Sequence, residues 1–280
     1  MGRDWVAVRG GGYAVPRGRS LEELVAELEE LLTSPDPHVR DDVALPVLAA
    51  WVERGVLDEM LEDLGTRCAA RLQHPAVHAR SFAALALGEV VGRAAVSPAR
   101  LVRPGVLRAW LVETILWYRD EADLRPWDPD LGWLHAAAHG ADLLGVFALA
   151  PQLAADDVRR VSGALAGRLD APSTPLFTEG EDARIAQALY AAAARADLEP
   201  QDVARWFADL RVAVAEGVEG SERTPAWLSN TVRALQMLHV LVGGAGALTP
   251  TGDAVSIVHG RVVRDGVVEA LAPWWPSLRP

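Results

Sequence analysis

The sequence predicts an all-α fold, a single-domain α-solenoid of antiparallel helix pairs of the HEAT-like kind, spanning residues 20–280. Three observations carry this. Apolar residues recur at helical spacing in segment after segment of about 12 to 20 residues. The segments are joined by short turns containing Pro, Gly or Asp, as expected of neighbouring antiparallel helices. No convincing strand pattern occurs before residue 250.

Residues 1–19, with the run Gly10-Gly11-Gly12, are expected to form a flexible tail, and they hold no apolar core of signal-peptide length. Ser20 followed by Glu23 is a capping box, in which hydroxyl and carboxylate each satisfy the other residue's backbone amide. Leu21, Leu24, Val25, Leu28, Leu31 and Leu32 then keep helical spacing until Ser34-Pro35-Asp36-Pro37 ends the helix. Further helices are expected at about 38–53, 57–73, 76–93, 104–120, 131–150, 155–169, 181–196, 200–216 and 226–242. The stretches after Pro37 and after Pro75 open alike, with His38-Val39-Arg40-Asp41 against Ala76-Val77-His78-Ala79-Arg80. From Thr249 to Leu271, Val255, Val258 and Val262 favour a helix, while Val262-Val263 and Val267-Val268 would also suit a hairpin about Asp265-Gly266.

Composition narrows the function classes. Half of the 280 residues are apolar, enough for a sizeable core. The net charge of −11 repels phosphate backbones and acidic membranes, so neither nucleic acid nor a membrane is an expected partner. Every basic residue is Arg, which reflects a GC-rich genome rather than a binding property. The single Cys68 forms no intrachain disulfide and reads as a small packing residue, which fits a cytoplasmic protein. Leu238–Leu248 is the nearest approach to a membrane span, and it falls short of the roughly 20 apolar residues needed.

Chemistry concentrates in Asp130–Leu144. On a helix over 131–150, His135, His139 and Asp142 fall within an arc of about 60° and interrupt an apolar stripe that includes Leu131, Val146 and Leu149. The opposite face carries Trp133, Ala137, Gly140 and Leu144, so the helix is expected to be buried on both sides and Asp142 to need partners. Histidines at i and i+4 can share an ion, yet Ala136 stands where a zinc protease has its general-base Glu. His135 and Asp142, seven residues apart, lie about 10 Å apart along the axis and cannot readily chelate one ion with His139. Outside ligands would come from Glu181 and Asp182 in Glu179-Gly-Glu-Asp-Ala-Arg184, and no metal or cofactor is assigned. General acid/base work by His139 beside Asp142 is a second possibility, with Arg184 or Arg80 binding an anionic group. Ser81, Ser162, Ser173 and Ser229 lack a nucleophile elbow. The structural alternative is a satisfied network in which the histidines and Asp142 bond each other, Arg184, Arg80 and backbone. Four tryptophans, Trp110, Trp117, Trp127 and Trp133, could line a cavity near this helix, or simply fill the core.

The phrases Arg40-Asp41, Arg80-Ser-Phe-Ala-Ala-Leu85, Gly132-Trp-Leu-His-Ala-Ala-Ala-His-Gly-Ala-Asp-Leu-Leu144 and Glu181-Asp-Ala-Arg-Ile-Ala186 resemble, in order, the bacterial family catalogued as domain of unknown function 2785. Asn230-Thr-Val-Arg-Ala-Leu235 is similar to a later part of it. The resemblance implies an all-helical protein of about residues 20 to 245 with no assigned activity. It maps recurrent polar positions onto Arg40, Asp41, Arg80, His135, His139, Asp142, Glu181, Asp182 and Arg184. Ala183 departs from the acidic or polar residue expected within the acidic phrase.

The favoured reading is a polar cleft of His135, His139, Asp142, Trp133, Arg80, Glu181, Asp182 and Arg184 that binds a small molecule or a peptide segment. The alternatives are an enzyme using His139 with Asp142 as general base, and a scaffold for a protein partner without a small-molecule site.

Overall fold

The structure, a computed structural model, describes residues 3–97, 99–220, 222–248 and 254–278. Periodicity and capping place the helices close to where the sequence puts them. They are α1 (Arg3–Gly10), α2 (Leu21–Leu31), α3 (Pro37–Val39), α4 (Leu45–Glu53), α5 (Leu61–Arg71), α6 (Val77–Val96) and α7 (Pro104–Asp120). A two-stranded ribbon of β1 (Trp127–Asp128) and β2 (Gly132–Trp133) follows, pairing Trp127 with Trp133. The chain continues with α8 (Ala136–Leu149), α9 (Ala155–Leu169), α10 (Glu181–Ala193), α11 (Pro200–Glu219) and α12 (Ala226–Val240). Short strands β3 (Ala247–Leu248) and β4 (Ala254–Val255) precede α13 (Gly260–Leu271). The all-α class holds.

The capping box at Ser20 is formed, with the Glu23 amide donating to the serine oxygen at 3.2 Å and the Ser20 amide to the Glu23 carboxylate at 3.1 Å. Between α3 and α4, residues Arg40–Ala44 widen into a π turn just before Pro46, which has no N–H to donate. Arg40, at the start of that turn, is 0% exposed. The core is continuous, and α8 packs most extensively against α6 and α10, so it lies between them. Its helical glycine Gly140 is a close-approach point: a Cβ there would lie 2.3 Å from the Tyr118 ring of α7. Cys68 is buried as a packing residue, and burial pushes its thiol up to about 12. No helix among the described residues is long and apolar enough to cross a membrane.

Three expectations need correction. Within the segment expected as a loose tail, α1 packs through Trp5, buried and 5.8 Å from Trp51 between ring centroids, and the Trp51 indole donates to the Tyr13 carbonyl at 2.8 Å. The helix expected from residue 131 starts at Ala136, because Asp128 and Gly132 shape the preceding ribbon. Asp128 accepts the Asp130 and Leu131 amides at 3.0 and 3.2 Å, and Gly132 adopts φ +70°, where a Cβ would meet Pro37. In the terminal segment, Val255 lies in β4 rather than on a helix, whereas 262–268 is helical with no hairpin about Asp265-Gly266; residues 249–253 of that segment lie outside the described residues.

Candidate polar site at the start of helix α8

The ribbon and the first turn of α8 bring Trp133, His135 and His139 together. His135 is the residue before the helix and holds φ 45°, ψ 33°, a left-handed conformation uncommon for a residue with a side chain. That turn lays its ring flat against Trp133, with centroids 4.6 Å apart and planes at 24°, while His139 meets it edge-on at 5.6 Å. The ribbon is itself held down by Arg40, whose guanidinium donates to the carbonyls of Leu131 and Trp133 at 2.8 and 3.2 Å and lies 4.4 Å over the Phe82 ring. Asp41 sits 2.8 Å from the Arg40 Nε, yet burial pushes its carboxyl up to about 6.

His139 is buried, and its protonation follows from its partners. The Ser81 hydroxyl, with one proton to give, donates it to the Leu134 carbonyl. The 2.7 Å contact between the Ser81 oxygen and His139 Nδ1 is therefore a bond donated by the imidazole. Nδ1 carries the proton and Nε2 keeps a lone pair with no hydrogen bond. Burial, aided by His135 and Arg184 nearby, pushes the His139 pKa down to about 3, so the ring is neutral at ordinary pH. Burial likewise lowers His135.

Glu181 begins α10 and is 1% exposed. One carboxylate oxygen accepts the Glu179 amide at 3.0 Å. The other faces His135 Nε2 at 3.9 Å, beyond hydrogen-bond range, and both atoms are buried without a partner.

The remaining predicted residues do not join this cluster. Asp142 does not orient His139; it pairs in two-pronged fashion with Arg184, Nε to Oδ1 being 2.6 Å. Asp182 pairs with Arg233 at 2.6 Å. Arg80 lies with Glu121, making bonds of 2.6 and 2.7 Å to its two oxygens and two more to the carbonyls of His74 and Pro75. Each of these two arginines is thus already paired with a carboxylate, Arg184 with Asp142 and Arg80 with Glu121. Trp110 and Trp117 fill the core, whereas Trp127 and Trp133 are exposed on the ribbon, so the four line no common cavity. Surface grooves of about 800 Å³ (Glu22, Glu59, Asp63) and about 560 Å³ (His74, Arg80, Trp117) are lined by neither His135 nor His139. No group of three or more His, Cys, Asp or Glu among the described residues is arranged to hold a metal ion.

Two participants escaped the sequence reading. Ser81 fixes the His139 tautomer and Phe82 meets that ring edge-on at 5.5 Å. Both stand in the phrase that begins at Arg80, and Ser81 lies one helical position from it, on another face.

No curated protein and no solved structure matches the chain. A family model, described as protein of unknown function (DUF2785), matches residues 70–240, more than half of the 280 residues, and the chain belongs to that family.

Proposed function

We propose that this protein binds a small molecule or an exposed segment of a peptide at the junction of the ribbon, the start of α8 and the start of α10. One observation carries the reading: His135 Nε2 and a Glu181 oxygen are buried, face each other at 3.9 Å and have no partner. Leaving such groups unpaired costs roughly 1 to 3 kcal/mol each, a penalty that a bound polar group removes. His139 Nε2 adds an acceptor whose identity Ser81 sets, and the exposed Trp133 ring supplies an apolar wall. We further read the succession of antiparallel helices as an α-solenoid whose ligand lies between helices of consecutive pairs, in a cytoplasmic protein.

The test is a thermal-shift screen of small metabolites and short peptides against the whole chain, alongside mass spectrometry of whatever the folded protein releases on denaturation. At least one compound should raise the melting temperature of the wild type but not of His135→Gln. Stabilisers that act equally on both proteins, with nothing released, would refute the reading.

A further inference from the structure

We propose that the ligand offers Glu181 a cationic nitrogen carrying N–H donors, as in a primary ammonium or a guanidinium group. This inference rests on the site proposed above and names the chemistry of its occupant.

Charge comes first. Glu181 is more than nine-tenths buried, and its second oxygen has no donor. Buried carboxylates are ordinarily matched by a cation. The neighbouring arginines are already matched, Arg184 to Asp142 and Arg233 to Asp182, so both of those pairs are neutral. His135 supplies no compensating charge at ordinary pH, since burial lowers its pKa. Among the described residues no arginine pairs with the Glu181 carboxyl.

Donor count comes second. The Glu181 oxygen is an acceptor, and so is His139 Nε2, whose other nitrogen gives its proton to Ser81. An unfilled acceptor beside His135 calls for a group that carries N–H, which an anion or an ether does not provide. Trp133, stacked on the His135 ring, holds that ring in place beside Glu181. Distance comes third. Two ligands of a tetrahedral ion at about 2.0 Å lie about 3.3 Å apart. Two partners of one nitrogen at about 2.8 Å lie about 4.5 Å apart at a tetrahedral angle and closer when the angle narrows. Spanning the observed 3.9 Å takes an angle of about 90° at the nitrogen but about 155° at the metal, far from tetrahedral, so the spacing suits a hydrogen-bonded nitrogen better.

The experiment titrates the whole chain, with histidine rings labelled in ¹⁵N, with n-butylammonium, n-butanol and butyrate. The His135 and His139 signals are assigned by their loss in the corresponding Gln variants. Butylammonium should move both signals saturably, and Glu181→Gln should weaken it by about tenfold or more. Trp133→Ala, at an exposed position, should weaken it several-fold and guards against Glu181→Gln failing to fold. Acetyl-lysine-methylamide identifies the source: tighter binding than butylammonium means a peptide side chain, equal or weaker binding a free amine. Equal or stronger binding of butanol or butyrate at these rings would overturn the cation while leaving the site in place. Silence from all three compounds would overturn both.

Discussion

The imidazole of His139 donates a 2.7 Å hydrogen bond to the oxygen of Ser81, 58 residues earlier in the chain. The bond joins α8, which carries the candidate site, to α6 behind it, and leaves the second ring nitrogen bare. Its consequences are both electrostatic and mechanical.

Acid stability should report it. In the unfolded chain His139 takes up a proton near 6.5, but in the fold only near 3. The unfolded state thus binds more protons as pH falls, so this contribution is complete above pH 6.5 and is lost between there and pH 3. The loss is about 1.4 kcal/mol per pH unit below 6.5. Urea unfolding at about pH 7.5 and about pH 5 should show a shallower pH dependence in His139→Gln than in the wild type, by about 2 kcal/mol. Parallel profiles would mean that the ring titrates normally.

Arg80 should matter to stability and not to ligand binding. Arg80→Ala strands the buried Glu121 carboxylate, whose pKa burial raises but hydrogen bonds from Arg80, the Asp123 amide and Trp117 bring below its ordinary value. A loss of about 3 kcal/mol or more is expected in denaturant unfolding. Glu121→Gln should cost less, because it leaves no unpaired carboxylate. A cost below about 1 kcal/mol for Arg80→Ala would show that the pair is not buried in solution.

Asp142 and Arg184 should matter little to either property. Their pair is partly exposed, with side-chain exposures of 23% and 46%, so solvent screens it. Asp142→Asn and Arg184→Ala should each shift stability by no more than about 1 kcal/mol. A drop of several kcal/mol in either would assign the pair a structural role.

Glycines on two neighbouring helices should respond oppositely to alanine. At Gly140 the new methyl would meet the Tyr118 ring at 2.3 Å, and a cost of about 1 to 3 kcal/mol is expected. At exposed Gly163 on α9 nothing lies within 4 Å, and Gly163→Ala should stabilise by about 0.5 to 1 kcal/mol. Chemical denaturation of the two variants measures both, and an equal response would disprove the tight α7–α8 contact.

Helix positions were legible because apolar spacing and capping are local properties. The start of α8 was not, because Leu131 and Trp133 fit a helical period as well as a ribbon, and what decides is an Asp128 side chain, a positive φ at Gly132 and an arginine 91 residues away. That displacement takes His135 off the face shared by His139 and Asp142. Glu181 was legible as a neighbour of the histidine helix, since the acidic phrase opens the second helix after it, but not as a group left 3.9 Å from His135 without a hydrogen bond. Asp142 pairing with Arg184 was one of several options the residues allowed. Ser81 was hidden because its role depends on which nitrogen of His139 is protonated, a matter that only three-dimensional neighbours determine.

Arg40 grips the ribbon by its main chain. Its donors meet the carbonyls of Leu131 and Trp133, not their side chains. Trp127 and Trp133 can accordingly be exchanged for other residues without unfastening the ribbon, whereas Gly132, pressed against Pro37, cannot. The fastening is indifferent to what the ribbon displays, so a lineage could revise the display while the frame beneath stays as it is.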